Sequence, residues 1–436
     1  MVAVKRSVEI QLQQWKDSAN RKPLLVRGAR QVGKTWSLEK FGESSFRNTI
    51  KIDFEKRPAY KRIFDGDLDA RSITEQLEIS AGKKIEPGKT LLFFDEIQAC
   101  PRAIMSLRYF HEELPELHIV AAGSLIDFAM SEISVPVGRI SYIQMHPMTF
   151  SEYLSAIGNE PAETAIAAGP RLLPKAAHVK LMEELKAYFF IGGLPACVSA
   201  RASGSSLTDV FAIQDDLLAS YRDDFAKYAG RSDKVCLDAV MRSTAKSAGE
   251  QITYSRLATE FSGVTNRKAF DLLCMAKVLN KIPCVSVPEI PLGAAHEGRK
   301  FKASFIDIGL MQRICAVPAG EGIMQSDLLN IYRGKLAEQF AAQELAASGR
   351  GGEVFYWARD AKGSEAEVDY LITAGGKVHP LEVKSGKGGS LRSMHNFLAA
   401  YPESGPGIVL YSGMYGERPE QRIRFIPLYF AGNLGR

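Results

Sequence analysis

The stretch Leu24 to Thr35, Leu-Leu-Val-Arg-Gly-Ala-Arg-Gln-Val-Gly-Lys-Thr, constrains the chain more than any other. It reads as a buried strand, a glycine-bounded loop and a helix start, and it fits G-x-x-x-x-G-K-[ST]. Gly28 and Gly33 allow the backbone N–H groups of the loop, from Gly28 through Ala29, Arg30, Gln31 and Val32 to Gly33, to turn inward around phosphate oxygens. The positive end of the following helix adds to that cradle. Lys34 would reach the β and γ phosphates. Thr35, the first helical hydroxyl, would hold the Mg²⁺ that accompanies ATP or GTP. The competing reading is a glycine turn before an ordinary helix. Pro23, the apolar run Leu24 to Val26, and Trp36, Leu38 and Phe41 beyond the loop weigh against it.

A length of 436 residues gives room for about two to four domains. Hydrophobic content of 46% and charged content of 24% are those of a globular chain, which excludes disordered and fibrous classes. No run approaches the ~20 apolar residues of a membrane span. The first residues are too charged for a secretory signal, so the expectation is a cytoplasmic protein with no membrane association. Six cysteines and seven histidines are scattered without CxxC or HExxH spacing, so neither a zinc site nor a disulfide framework is expected. A net charge of +5 permits contact with DNA or RNA and does not demand it.

Downstream of the loop, residues 49–54 alternate as a strand with Asp53 near its end. That carboxylate either approaches the nucleotide or is simply solvated. Thr90 to Glu96 is an apolar run closed by two acids, as a central parallel strand would be. Asp95 would anchor the Mg²⁺ shell and Glu96 would polarise the attacking water, unless the pair merely caps a helix. His118 to Ser124 is another buried-strand pattern, and Ser124 either bonds the γ phosphate or caps the next helix. Arg139 follows Val-Pro-Val-Gly on a loop, as a finger for transition-state charge or as an exposed loop arginine.

The ordered set Gly-Ala-Arg-Gln-Val-Gly-Lys-Thr, Phe-Phe-Asp-Glu-Ile-Gln, Ala-Gly-Ser-Leu and Val-Gly-Arg-Ile, then His-Pro-Met-Thr-Phe-Ser-Glu-Tyr, resembles the prokaryotic AAA+ superfamily ATPases that carry a winged-helix and restriction-endonuclease-like C-terminal region. The resemblance covers nearly the whole chain. It implies an α/β fold with an AAA-type P-loop NTPase core over 1–150, a helical connector and winged helix over 151–325, and a restriction-endonuclease-like α/β domain over 326–436. It also makes Arg139 the motif arginine, acting within its own subunit or on a neighbour in a homo-oligomer.

Residues 151–235 are helical in pattern with a break from Tyr188 to Pro195. From Ile252 two short helices flank Ser262 to Val264, and strands at 284–287 and 301–307 would form a wing. Thr265 to Lys268 would then start a recognition helix, although winged helices also serve protein contacts alone. Farther on, a helix over 332–348 carries Glu338 on its apolar side, a carboxylate that needs a partner. Gly375-Gly376 is a two-residue hairpin signal between alternating segments. Counting outward from it sets Asp369 opposite Glu382, with Lys384 on the same face. The set Glu338, Asp369 and Glu382-Val383-Lys384 resembles the PD-(D/E)XK nuclease signature. In that reading Asp369 and Glu382 hold a second Mg²⁺ or Mn²⁺, Lys384 activates water and Glu338 assists. A surface salt bridge is the plain alternative.

The expectation is therefore an ATPase coupled to nucleic-acid binding or cleavage. Its rival is an ATP-dependent switch or adaptor acting on a protein partner through a non-cleaving C-terminal domain.

Overall fold

A computed structural model of the chain describes residues 5–131, 133, 138–228, 231–294, 296–316, 329–348, 353–361, 364–384 and 390–434. Val135, Pro136 and Val137, which lead to Arg139, lie outside the described residues. The chain forms two compact units, one of Lys5–His146 with Met275–Lys277, the other built from Pro147–Cys274 and Val278–Arg436.

The first unit contains α1 (Ser7–Asp17), β1 (Leu24–Arg27), α2 (Lys34–Ser45), β2 (Asn48–Asp53), α3 (Ala70–Ala81), β3 (Thr90–Asp95), α4 (Pro101–Glu113), β4 (His118–Ala122), α5 (Ile126–Ser131) and β5 (Ser141–Gln144). Its strands form one sheet in the order β2-β3-β4-β1-β5, and every pair is parallel. All six residues of β3 are buried, because helices cover both faces of a central parallel strand. Phe54, Phe64, Phe94 and Phe110 lock the core through ring contacts of 5.5 to 6.2 Å. Each such ring contributes about 1.5–3 kcal/mol by leaving water.

Parallel strands deliver all their carboxyl ends to one edge of the sheet. There β1 runs into Gly28, β3 into Glu96, and β4 into Gly123 and Ser124. Residues before the strands lie at the other edge. Ser141 pairs with Leu24, so Arg139 stands two residues before β5, about 20 Å along the strand direction from the glycine loop.

The second unit opens with α6 (Phe150–Ala156), α7 (Glu160–Ala167), α8 (Lys175–Ile191), α9 (Pro195–Ala202) and α10 (Leu207–Tyr228). The break between α8 and α9 has a steric cause, since a Cβ on Gly193 would lie 2.0 Å from the carbonyl oxygen of Met148. Next come α11 (Arg231–Lys246), α12 (Tyr254–Leu257), α13 (Gly263–Met275) and the antiparallel pair β6 (Leu279–Val285) and β7 (His296–Phe305). Strand β6 begins five residues before the expected Cys284. Ile252, ahead of α12, makes an antiparallel bridge to Phe301 of β7.

The remaining elements are α14 (Ile308–Ile314), α15 (Leu329–Ala347), β8 (Phe355–Ala361), β9 (Ser364–Ala374), β10 (Lys377–Lys384), α16 (Arg392–Ala400), β11 (Gly407–Tyr411), β12 (Gly416–Arg418) and β13 (Ile423–Pro427). They join the earlier hairpin in one eight-stranded mixed sheet, β12-β13-β11-β10-β9-β8-β6-β7. The sheet crosses the expected boundary at 325, so the two sides of that boundary share one compact unit. Glu344 of α15 accepts the Phe150 N–H of α6 at 3.0 Å in full burial.

Candidate functional site

The loop between β1 and α2 is shaped by its glycines. Gly28 sits at φ +151°, where an added Cβ would lie 2.3 Å from the Met145 carbonyl oxygen, and Gly33 caps α2 in the left-handed region at φ +93°. Lys34 folds back over this loop. Its ammonium donates to the carbonyls of Gly28 at 2.9 Å and Ala29 at 2.7 Å. Burial pulls its pKa down to about 8, against the opposing pull of Glu96 and Asp95. A phosphate is a stronger, charge-assisted acceptor than either carbonyl. The side chain is thus poised to exchange one set of oxygens for the other.

Thr35 Oγ1 donates to Asp95 Oδ1 at 3.1 Å, which brings both expected Mg²⁺ ligands to one point. These hard oxygen donors fit the ion. The other Asp95 oxygen faces Lys51 of β2 at 2.9 Å, and Lys51 also meets Glu39 at 2.8 Å. Glu96 follows at φ +48°, a left-handed residue that turns its carboxyl away from the strand direction. Burial raises its pKa, and Gln98 Nε2 donates to Glu96 Oε2 at 2.5 Å. Lys51 and Gln98 were not legible in the sequence, because only the sheet register and the turn after β3 bring them to the acids.

Three other candidates are located as follows. Asp53 accepts the N–H groups of Glu55 at 3.0 Å and Lys56 at 2.8 Å, so it closes the turn after β2. Ser124 is buried beyond the end of β4, the strand that pairs with β1. Arg139 Nε donates to Glu112 of α4 at 3.0 Å, at the sheet edge opposite the loop. It is not gathered with Lys34 and Asp95.

In the second unit the hairpin has the expected register. Lys377 pairs with Ala374 and Leu381 with Tyr370, with Gly375 at φ +56° and Gly376 at φ +71° in the turn. The ladder ends at the Leu381–Tyr370 pair, and Asp369, the next residue of β9, accepts the Val383 N–H of β10 on Oδ2 at 2.8 Å. A lysine supplies compensating charge. Lys302 of β7, with a side chain 1% exposed, lies 3.3 Å from Asp369 Oδ1 and 3.5 Å from Glu338 Oε2, and closer still to Glu367 Oε1. Lys384 pairs with Glu382 at 2.9 Å. Among the described residues no group of three or more His, Cys, Asp or Glu side chains is arranged to hold a metal ion. The second Mg²⁺ or Mn²⁺ expected at Asp369 and Glu382 is not shown, and each of these acids stands beside a lysine.

Burial, with Asp369 nearby, raises Glu338 to about 8, while Lys302 is held above its ordinary value by the three carboxylates in spite of burial. Lys384 also lines a cavity of about 400 Å³ with His178, Lys186, Phe189 and Leu336. On α13, Asn266 is buried and donates to the carbonyls of Tyr254 and Ala258, both at 2.9 Å, which fixes α12 against it. Val264, Arg267 and Lys268 remain on its exposed face.

Residues 20–154 match the family model of the AAA domain. The chain therefore carries an AAA-type P-loop ATPase core, the part that holds Lys34, Thr35, Asp95 and Glu96. Residues 182–320 match a domain of unknown function, DUF8612, and residues 333–431 a second, DUF4143. No curated protein matches the chain. Among solved structures, the Caenorhabditis elegans PCH-2 structure is similar at 11% identity and TM-score 0.27, over 42% of this chain and 59% of that one. The Thermotoga maritima RuvB Holliday junction branch migration motor is similar at 15% identity and TM-score 0.31, over 64% and 90%. The structure of Drosophila ORC bound to DNA is similar at 12% and 0.27, over 71% and 94%. Likeness at that level transfers neither activity nor partner. Among the described residues no helix is long and apolar enough to cross a membrane.

Proposed function

We propose that the AAA core binds and hydrolyses MgATP and that turnover is coupled to nucleic-acid binding by the second unit. The observation that carries the ATPase reading is the meeting of Thr35 Oγ1 and Asp95 Oδ1 at 3.1 Å beside a lysine buried in the glycine loop. Lys34 and the loop N–H groups hold the triphosphate, and Thr35 and Asp95 hold the ion. Bound there, the ion would neutralise charge that develops on the phosphates during transfer. Glu96, whose pKa is raised by burial, takes the proton of the attacking water, and Gln98 orients it. Ser124 stands by the γ phosphate. Arg139, a strand's length away from its own loop, serves the site of a neighbouring chain.

Nucleic-acid binding is supported by the exposed Arg267 and Lys268 on α13, in an order of three helices and a β6–β7 hairpin that suits a winged helix. It is also supported by Lys384 and Lys186 in one cavity. The succession α15, β8, β9, β10, α16, β11 carries Glu338, Asp369, Glu382 and Lys384 in nuclease-like sequence, and the proposed role is binding without cleavage. The pairing of these acids with Lys302 and Lys384 favours a second reading, a non-cleaving adaptor for a protein partner.

The test is ATP hydrolysis by wild type and Lys34→Ala, alone and with single-stranded DNA, duplex DNA or RNA. Turnover that is lost in Lys34→Ala and rises with a nucleic acid is expected. Equal turnover in both proteins sinks the ATPase assignment. Turnover indifferent to every nucleic acid, with none bound, leaves the adaptor.

A further inference from the structure

The carboxylates of the nuclease-like cluster come from three elements, α15 with Glu338, β9 with Glu367 and Asp369, and β10 with Glu382. Brought together in an interior they repel one another unless a cation stands among them. We propose that Lys302 is the resident cation of this cluster, a side chain in the position where a metal-dependent nuclease would hold a divalent ion. This rests on the reading of the second unit as nuclease-like in layout, and it is independent of the ATPase reading.

Four features carry it. The Lys302 ammonium has three N–H donors and three carboxylates around it, Glu338, Glu367 and Asp369. Its side chain is 1% exposed and its ammonium stands 5.5 Å from the Tyr356 ring centre and 5.8 Å from that of Tyr370, so it is enclosed by two electron-rich faces. The opposite oxygens of two of these acids are committed as well. Asp369 Oδ2 accepts the Val383 N–H at 2.8 Å, and Glu367 Oε2 accepts Gln251 Nε2 at 2.7 Å. Glu382, the remaining acid, accepts the Met394 N–H at 3.0 Å on one oxygen and meets Lys384 at 2.9 Å with the other.

A Mg²⁺ ion needs about six oxygens at close to 2.1 Å. Here it would have to expel a buried ammonium and take acceptors from backbone N–H groups. An ion beside Lys302 would instead meet a like charge in a medium that screens it poorly. Lys302 and Lys384 therefore offset much of the cluster's negative charge without metal. Removing the ammonium alone uncovers a divalent-cation site made of Glu338, Glu367 and Asp369.

The experiment is Mn²⁺ binding to the full chain without nucleotide, read by electron paramagnetic resonance, in wild type, Asp369→Asn, Lys302→Ser, Lys302→Arg and Lys302→Ser with Asp369→Asn. Thermal melting is followed with and without Mn²⁺. Lys302→Ser is expected to gain a Mn²⁺ site that Asp369→Asn removes, and its melting temperature should rise with Mn²⁺. Wild type and Lys302→Arg should show neither change. If Lys302→Ser does not fold even with Mn²⁺, wild type still decides. A Mn²⁺ site in wild type that Asp369→Asn abolishes overturns the proposal, and its absence upholds it. A folded Lys302→Ser that binds no more Mn²⁺ than wild type also overturns it. None of these readouts uses ATP, so failure here is distinct from failure of the ATPase reading.

Discussion

At the scale of single residues, the AAA core is a set of exchangeable contacts around one carboxylate. Asp95 answers Thr35 with one oxygen and Lys51 with the other. Glu96 waits beside Gln98, its proton affinity raised by burial. Glu96→Gln keeps the shape and loses the base, so it should retain ATP while hydrolysis slows by about 10²- to 10⁴-fold. Single-turnover measurement decides this, and an undiminished rate removes Glu96 from the chemistry. If Asp95 holds Mg²⁺ as proposed, Lys51, 2.9 Å from its Oδ2, competes with the ion. Lys51→Met should lower the Mg²⁺ concentration for half-maximal hydrolysis by about two- to fivefold, the worth of a partly exposed ion pair. A Mg²⁺ titration of turnover that is unchanged or shifted upward contradicts that role.

At the scale of elements, α15 shows how a buried carboxyl ties structure to pH. Burial raises Glu344 from 4.5 to about 8, opposed by the hydrogen bond from the Phe150 N–H and helped by Glu152. Between those two values the folded chain keeps a proton that the unfolded chain has released, so this group lowers stability as pH rises through the window. Glu338, also raised to about 8, acts in the same direction. Glu344→Gln retains a carbonyl to accept the Phe150 N–H and has no proton to lose. Its melting temperature should therefore fall less steeply between pH 4.5 and 8 than that of wild type. Parallel slopes would assign the pH dependence elsewhere. The hairpin β9–β10 shows the opposite case, an element whose register follows from two glycines and a period of two.

At the scale of the whole molecule, the parallel sheet of the AAA core separates Arg139 from its own nucleotide loop. If Arg139 completes a neighbour's site, Arg139→Ala and Lys34→Ala should each be inactive alone, and a mixture should regain part of the activity. Arg139→Ala turning over ATP at the wild-type rate refutes the finger. The sequence by itself determined the glycine loop, the acids at the end of β3, the strand–loop–helix order and the register of the β9–β10 hairpin from Lys377–Ala374 to Leu381–Tyr370. These depend on neighbours within a few residues, on periods of two and 3.6, and on a two-residue turn. Only the tertiary structure decided what balances those charges. Lys51 reaches Asp95 across adjacent strands 44 positions apart in the chain. Lys302 meets Glu338 and Asp369 over separations of 36 and 67 residues. No local pattern encodes such meetings. Carboxyl groups gathered in an interior are relieved by a proton or by a cation, and the fold decides which: Glu344 keeps a proton, and Lys302 stands among Glu338, Glu367 and Asp369.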